Sequence, residues 1–258
     1  LRPAKATEAT PQGLAGSAAL GLPMGVQPMR VLIVDDDASM RALVRNHGRV
    51  LEPACGDGAF LQHFPGAYGI EVDPRHAPPG AEVMNFFELA HDEFFATIIG
   101  NPPYVRYQDI SPGTRRLARG TVLDKRANLY LFFIEKCLRL LEPGGELIFI
   151  TPRDFLKATS AVPLNRLMFE LGTITDFIDL GDLHLFDAAT PNCAIWRFER
   201  GNLTRQTRYA ALGFADTAET LAAPPWEERR FLESGGHLLF TNHFGGDIRA
   251  TVRQTTRL

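Results

Sequence analysis

Val50-Leu51-Glu52-Pro53-Ala54-Cys55-Gly56-Asp57-Gly58-Ala59-Phe60-Leu61 reads as a strand, a tight turn of small residues and the start of a helix. Gly56 and Gly58 permit positive φ and let a ligand come close to the backbone, while a helix starting there offers unpaired N–H groups. A plain β-turn-α connection also favours glycine. The stretch has neither a Walker lysine nor the full spacing of a dinucleotide fingerprint, so phosphate is not its indicated ligand. Downstream, short apolar runs alternate with amphipathic segments, the pattern of a parallel sheet covered by helices. Strands are expected near 49–53, 68–72, 82–86, 96–100, 145–151, 174–180 and 193–198. Helices are expected over Asn128 to Leu141, stopped by Pro143-Gly144-Gly145, and over Leu164 to Leu171.

The flanks read differently. Residues 1–29 are rich in Ala, Gly, Pro and Thr without a helical or strand period, the composition of a flexible leader in which Met29 is a candidate start. Val31 to Val34, the acidic run Asp35-Asp36-Asp37 and the helix-like Ala38 to Arg45 resemble the first strand, acidic corner and first helix of a response-regulator receiver domain. The motif beginning at Val50 leaves no room for that family's phosphoacceptor strand. Residues 30–48 are therefore expected as a strand and helix beside the main sheet, or as more leader. Residues 49–200 form the main domain. In 201–258, Pro224-Pro225-Trp226, Gly235-Gly236 and Gly245-Gly246 punctuate short pieces that need not complete a domain.

Bulk properties set limits. A chain of 258 residues buries one sizeable core, and 27 basic against 30 acidic residues leave no polycationic character, so any nucleic-acid contact comes from a local patch. Cys55, Cys137 and Cys193 are odd in number and far apart, which argues against a disulfide framework or structural zinc and for a reducing, cytoplasmic setting. No metal site is expected. Nor is a membrane segment, since the uncharged stretch 9–29 is broken by Gly and Pro.

Three further motifs carry chemistry. Tyr68-Gly69-Ile70-Glu71-Val72-Asp73-Pro74 is an apolar strand ending in an acid, and a carboxylate at a strand end beside a glycine turn is placed to accept hydrogen bonds from both ribose hydroxyls. A solvated turn carboxylate is the plainer alternative for Glu71. Asn85-Phe86 puts an amide and a ring at the next strand end. Ile98-Ile99-Gly100-Asn101-Pro102-Pro103-Tyr104 then joins a strand to an amide, two prolines and an aromatic ring. The Asn101 side-chain carbonyl and a backbone carbonyl in a proline turn can converge on one NH2 group, and Tyr104 can stack on the ring that bears it. Taken alone, this is also an ordinary strand and Pro-Pro turn.

In order, Glu52-Pro53-Ala54-Cys55-Gly56-Asp57-Gly58, Glu71, Asn85-Phe86, Asn101-Pro102-Pro103-Tyr104, Asn128-Leu129-Tyr130, Pro143-Gly144-Gly145-Glu146-Leu147-Ile148-Phe149 and Ala188 to Phe198 resemble the class I S-adenosylmethionine-dependent DNA adenine-N6 methyltransferases of gamma order, enzymes of restriction-modification systems. The likeness covers about residues 49–200. It implies an α/β, Rossmann-like, mostly parallel seven-stranded sheet with helices on both faces. It implies S-adenosyl-L-methionine as cofactor, contacted by Glu52, Ala54, Gly56, Glu71, Val72, Asn85, Phe86, Asn101, Pro103 and Phe133. A flipped adenine from double-stranded DNA would be held by Asn101, Pro102 and Tyr104, with Phe186 as a second ring. A cognate restriction endonuclease or a separate specificity subunit is the implied protein partner. Arg106, Arg115, Arg116, Arg119, Lys125 and Arg126, between the turn and Asn128, are expected either to contact phosphates or to form a solvated loop.

This sequence departs from that family in three ways. Asn85 stands where an aspartate is usual. A Thr-Pro pair, usual about twenty residues before the glycine turn, appears here only as Thr10-Pro11. The family carries a large target recognition domain after the catalytic domain, and here residues 201–258 are expected as a C-terminal extension that at most begins a truncated one. The Asn-Pro-Pro-Tyr turn also resembles those of ribosomal-RNA adenine methyltransferases and of glutamine-N5 methyltransferases, and a non-catalytic remnant is a further alternative.

Overall fold

A computed structural model describes residues 36–119, 122–181, 192–213 and 216–242. Its strands are β1 (Val50–Glu52), β2 (Tyr68–Glu71), β3 (Glu82–Val83), β4 (Phe95–Gly100), β5 (Leu141–Pro152), β6 (Gly172–Asp179), β7 (Cys193–Arg200), β8 (Gln206–Ala211), β9 (Glu227–Ser234) and β10 (His237–Asn242). The helices are α1 (Asp36–Arg41), α2 (Pro112–Leu117), α3 (Leu129–Leu140), α4 (Val162–Leu171) and α5 (Ala218–Ala222). All ten strands lie in one sheet, in the order β3-β2-β1-β4-β5-β7-β6-β8-β9-β10.

The first seven strands are those the sequence predicts, and three more extend the sheet. β8 adds parallel to β6, and β9–β10 is a hairpin whose Gly235-Gly236 turn has positive φ at both residues, as a two-residue hairpin turn requires. The expectation of a mostly parallel sheet holds for β3, β2, β1, β4 and β5; β7 runs antiparallel to both β5 and β6.

Both sheet faces are covered, so its central strands read as continuous apolar runs. On β5, Leu147 and Phe149 join the core under α3 and α4, whereas Ile148 and Ile150 join a second core with Met40, Leu43, Phe60 and Leu221. Successive side chains on a strand point to opposite faces, and that alternation divides the two cores. Every residue of α3 except Arg139 is buried, which explains why its sequence lacks a clean polar face.

Three expectations change. No α-helix follows the glycine turn: the chain makes one 3-10 turn, Leu61–His63, before Phe64-Pro65-Gly66. Pro65 disfavours a helical Phe64, and Tyr68 already begins the next strand, so no span remains for a longer helix. Leu61 also packs so closely on β2 that a Cβ at Gly69 would lie 2.4 Å from its Cδ1. The helix expected over Ala38 to Arg45 ends at Arg41, although Leu43 remains buried. β3 is short because Asn85 leaves the strand to cap a 3-10 turn, Phe86–Glu88.

A charged cluster closes the second face near the N-terminal ends of the central strands. Fully buried Glu146 accepts from the Arg45 and Asn46 backbone N–H groups (2.9 and 2.8 Å), the Thr97 hydroxyl (3.0 Å) and Arg197 Nε (2.6 Å). Asp176, equally buried, accepts from Arg45 (2.8 Å) and Arg208 (2.7 Å) and lies 3.7 Å from Arg197. Charges this deep persist only when paired and hydrogen-bonded. The cluster also fixes the chain entering β1 onto the sheet.

Candidate functional site

Apart from Phe133, which lies on α3, and Phe186, the sequence-predicted site residues lie at the C-terminal ends of β1, β2, β3 and β4, neighbours in the sheet, where open α/β sheets place their ligands. Glu52 at the end of β1 is buried, and its Oε2 accepts from Leu61 N–H at 3.1 Å, so this acid holds the turn after it in shape. Gly56 has φ 53°, and a Cβ there would meet nothing within 4 Å. The turn thus presents bare backbone to open space. Ala54 is half-buried beside it.

Glu71 ends β2 and ties two turns together. Its Oε2 accepts from Gly56 N–H at 2.9 Å and its Oε1 from Asp73 N–H at 2.8 Å. Each carboxylate oxygen retains acceptor capacity after one such bond. Val72, next to it, is 63% exposed, and a large aliphatic side chain left bare beside a fixed acid suits the face of a planar ligand. Asn85 Oδ1 accepts from Phe87 N–H at 3.1 Å, and its Nδ2 donates to Thr114 Oγ1 at 3.0 Å. Phe86 and Phe133 are both buried and stack on each other, ring centroids 4.9 Å apart, with Phe87 edge-on to Phe133. These two rings form the wall behind the site.

Behind that wall, Lys136 Nζ donates to Leu89 C=O at 2.7 Å and sits 5.1 Å from the Phe86 ring centroid. Burial lowers its pKa from 10.5 to about 8. The folded chain therefore releases this proton before the unfolded chain does, and stability rises with pH between about 8 and 10.5. Lys136→Met should flatten that rise in urea titrations across this window; an unchanged pH slope would show that Lys136 does not cause it.

β4 delivers the turn itself. Asn101 is half-buried, and its side-chain amide has no hydrogen-bond partner among the described residues. Pro102 is buried, and its carbonyl likewise accepts no bond there, whereas the Pro103 carbonyl accepts from Val105 N–H at 3.0 Å. Two acceptors in one turn are left available. Tyr104 donates its hydroxyl to Ile150 C=O at 2.7 Å, and Tyr130 meets it edge-on, with centroids 6.1 Å apart and planes at 80°. Tyr130 in turn donates to Asp154 Oδ1 at 2.7 Å; burial first, and then the Asp154 charge, push the Tyr130 pKa well up, so it stays a neutral donor. With its hydroxyl engaged, Tyr104 has its ring to offer.

Burial, reinforced by Glu52 and Glu71, pushes the Cys55 thiol up to about 12, so it is no nucleophile at neutral pH. In the basic segment, Arg106 pairs with Asp109 (2.9 Å), Arg126 lies 3.5 Å from Asp124, and Arg115 donates to the Tyr107 and Ile110 carbonyls (2.9 and 3.1 Å). Arg116, Arg119 and Lys125 are exposed. Phe186, the expected second ring, lies outside the described residues, as do His184, Asp187 and residues 1–35. The sequence reading missed Thr114 and the Tyr130–Asp154 pair. The Ser111-Pro112 helix start was the only local sign of Thr114's placement, since Ser111 caps α2.

Residues 75–186 match the profile of the Eco57I restriction-modification methylase family. Type II methyltransferase M.TthHB8I of Thermus thermophilus is 35% identical over 175 residues, 60% of this chain and 40% of that protein. Type II methyltransferase M.HincII of Haemophilus influenzae is 26% identical over 163 residues, 59% of this chain and 32% of that protein. The chain thus spans two fifths or less of the length of these relatives. Among solved structures, the M protein of the type I restriction enzyme EcoKI superposes with a TM-score of 0.55 at 14% identity, covering 68% of this chain and 46% of that one. A class I S-adenosylmethionine-dependent methyltransferase from Listeria monocytogenes gives 0.54 at 17% identity, covering 70% and 63%. At such identities these structures bear on the fold alone. Among the described residues no helix is long and apolar enough to cross a membrane.

Proposed function

We propose that this chain, whose residues 75–186 match the profile of the Eco57I restriction-modification methylase family, is a DNA methyltransferase domain that moves a methyl group from S-adenosylmethionine to adenine N6. The observation that carries the reading is the pair of carbonyls, on Asn101 and Pro102, left without donors at the end of β4 beside the glycine turn that Glu71 holds. The bare backbone at Gly56, the Glu71 carboxylate and the exposed Val72 fit a nucleoside, and with Asn85 in front of the Phe86–Phe133 wall they are the residues that would hold the cofactor. S-adenosylmethionine supplies an electrophilic methyl group when bound.

The chain's own part is activation and placement. Adenine N6 is a poor nucleophile because its lone pair is delocalised into the ring. Two acceptors on its hydrogens, Asn101 Oδ1 and the Pro102 carbonyl, return density to nitrogen. Extruding the base costs a few kcal/mol, which stacking on Tyr104 offsets. Tyr104→Ala should weaken binding of adenine-containing single strands about 5- to 150-fold, since stacking contributes about 1–3 kcal/mol per base, while Tyr104→Phe should stay within about fivefold. Equal losses would assign the effect to the hydroxyl. The exposed Arg116, Arg119 and Lys125 are placed in the reading as phosphate contacts, and a cognate endonuclease or specificity subunit is the proposed protein partner.

The test is incubation with labelled S-adenosylmethionine and, in parallel, unmethylated genomic DNA, ribosomal RNA and a release factor. Digestion should yield N6-methyladenine from DNA. Label in glutamine or RNA alone would sink this reading, and absence of both label and cofactor binding would favour a non-catalytic remnant.

A further inference from the structure

Asn85 stands where the cofactor's adenine amine needs an acceptor, and an amide serves that purpose in only one of its two orientations. A carboxylate offers oxygen either way round, whereas an amide turned over sets NH2 against NH2. Two contacts hold this amide. Phe87 N–H, which can only donate, lies 3.1 Å from Oδ1, and Nδ2 reaches Thr114 Oγ1 at 3.0 Å. Thr114 belongs to α2, inside the arginine-bearing segment and 29 residues along the chain from Asn85. Its own place is fixed by Ser111, whose Oγ accepts from Thr114 N–H at 3.2 Å and lies 3.1 Å from Thr114 Oγ1.

We propose that Thr114 is a positioning residue of the cofactor site, holding the Asn85 amide so that its oxygen is the atom offered to the adenine amine. The inference rests on the cofactor reading above. It makes an amide at this place workable: Phe87 N–H selects the end that is oxygen, and the Thr114 hydroxyl pairs the NH2 end from α2 and so locks that orientation, which a carboxylate would not need.

A double-mutant cycle tests it, with S-adenosylhomocysteine affinity of the full chain measured by calorimetry. Thr114→Val should weaken binding about tenfold, the effect of leaving a partly buried amide donor unpaired, and Thr114→Ser, which keeps the hydroxyl, should stay within about twofold. In the Asn85→Asp background the same Thr114→Val change should alter affinity less than about twofold, because neither carboxylate oxygen needs orienting. Thr114→Ala gives the same comparison if the valine chain folds poorly. Equal losses in both backgrounds would reduce Thr114 to a structural contact and overturn the proposal, as would no loss in either. Failure of both the parent and Asn85→Asp chains to bind would instead overturn the cofactor reading, and this inference with it.

Discussion

Asn101→Ala should lower methyl transfer about 100- to 1,000-fold, the usual consequence of deleting one preorganised polar group at a reacting centre, while cofactor affinity changes far less. The asymmetry follows from the free state of the turn. The Asn101 amide has no hydrogen-bond partner among the described residues, so its removal breaks no hydrogen bond among them. Gly56, Glu71 and Asn85 are held by other bonds and persist. Single-turnover transfer and calorimetric cofactor binding, measured on the same preparations, separate the two effects. An unchanged rate would end the activation mechanism; a parallel collapse of cofactor binding would make Asn101 a binding residue first.

The other large effect concerns stability. Arg197→Leu should cost about 3–5 kcal/mol, because breaking a buried ion pair leaves its partner charged in a dry site. Arg197 is 3% exposed and donates to Glu146 Oε2 at 2.6 Å, and no other cation pairs with that carboxylate among the described residues. For a chain of this size each kcal/mol lowers the melting temperature by roughly 2–4 °C, so thermal denaturation reads the change directly. Adding Glu146→Leu should not restore stability, since Glu146 also accepts from the Arg45 and Asn46 backbone N–H groups, which would lose their acceptor. A double variant as stable as the parent would show that those backbone bonds are dispensable.

Much of the sheet was legible because strand ends announce themselves. Apolar runs closed by Glu71 or by Asn101-Pro102 mark both a strand and its terminus, and β1 to β7 fall where those patterns put them. The glycine turn was legible as a turn, but its helix was not: Pro65 is a local signal that propensity reasoning can undervalue when the preceding motif suggests a helix. β8 to β10 carry weaker patterns because β9 opens with the charged run Glu227-Glu228-Arg229-Arg230 and lies towards the sheet edge. Nothing in the sequence marks Glu146, Asp176 and Arg197 as buried, since a sequence shows a charge without showing what pairs with it. Thr114 was invisible for a related reason: its partner is 29 residues away.

In the proposed reaction, the two open carbonyls of the Asn101-Pro102 turn would also act as a filter, quite apart from activation. Guanine and thymine present an oxygen where adenine presents its amine, and that oxygen would face the Pro102 carbonyl, an acceptor whichever way the Asn101 amide turns, with no proton between them. Such a mismatch costs more than a missing bond, because all the groups lose water without gaining a partner. Cytosine, whose amine satisfies the same pair, passes this filter. Telling purine from pyrimidine therefore falls to the separation between the turn and the ring of Tyr104, whose hydroxyl is fixed to Ile150 on the neighbouring strand. The backbone of β4 and β5 thus sets the gauge against which ring size is measured.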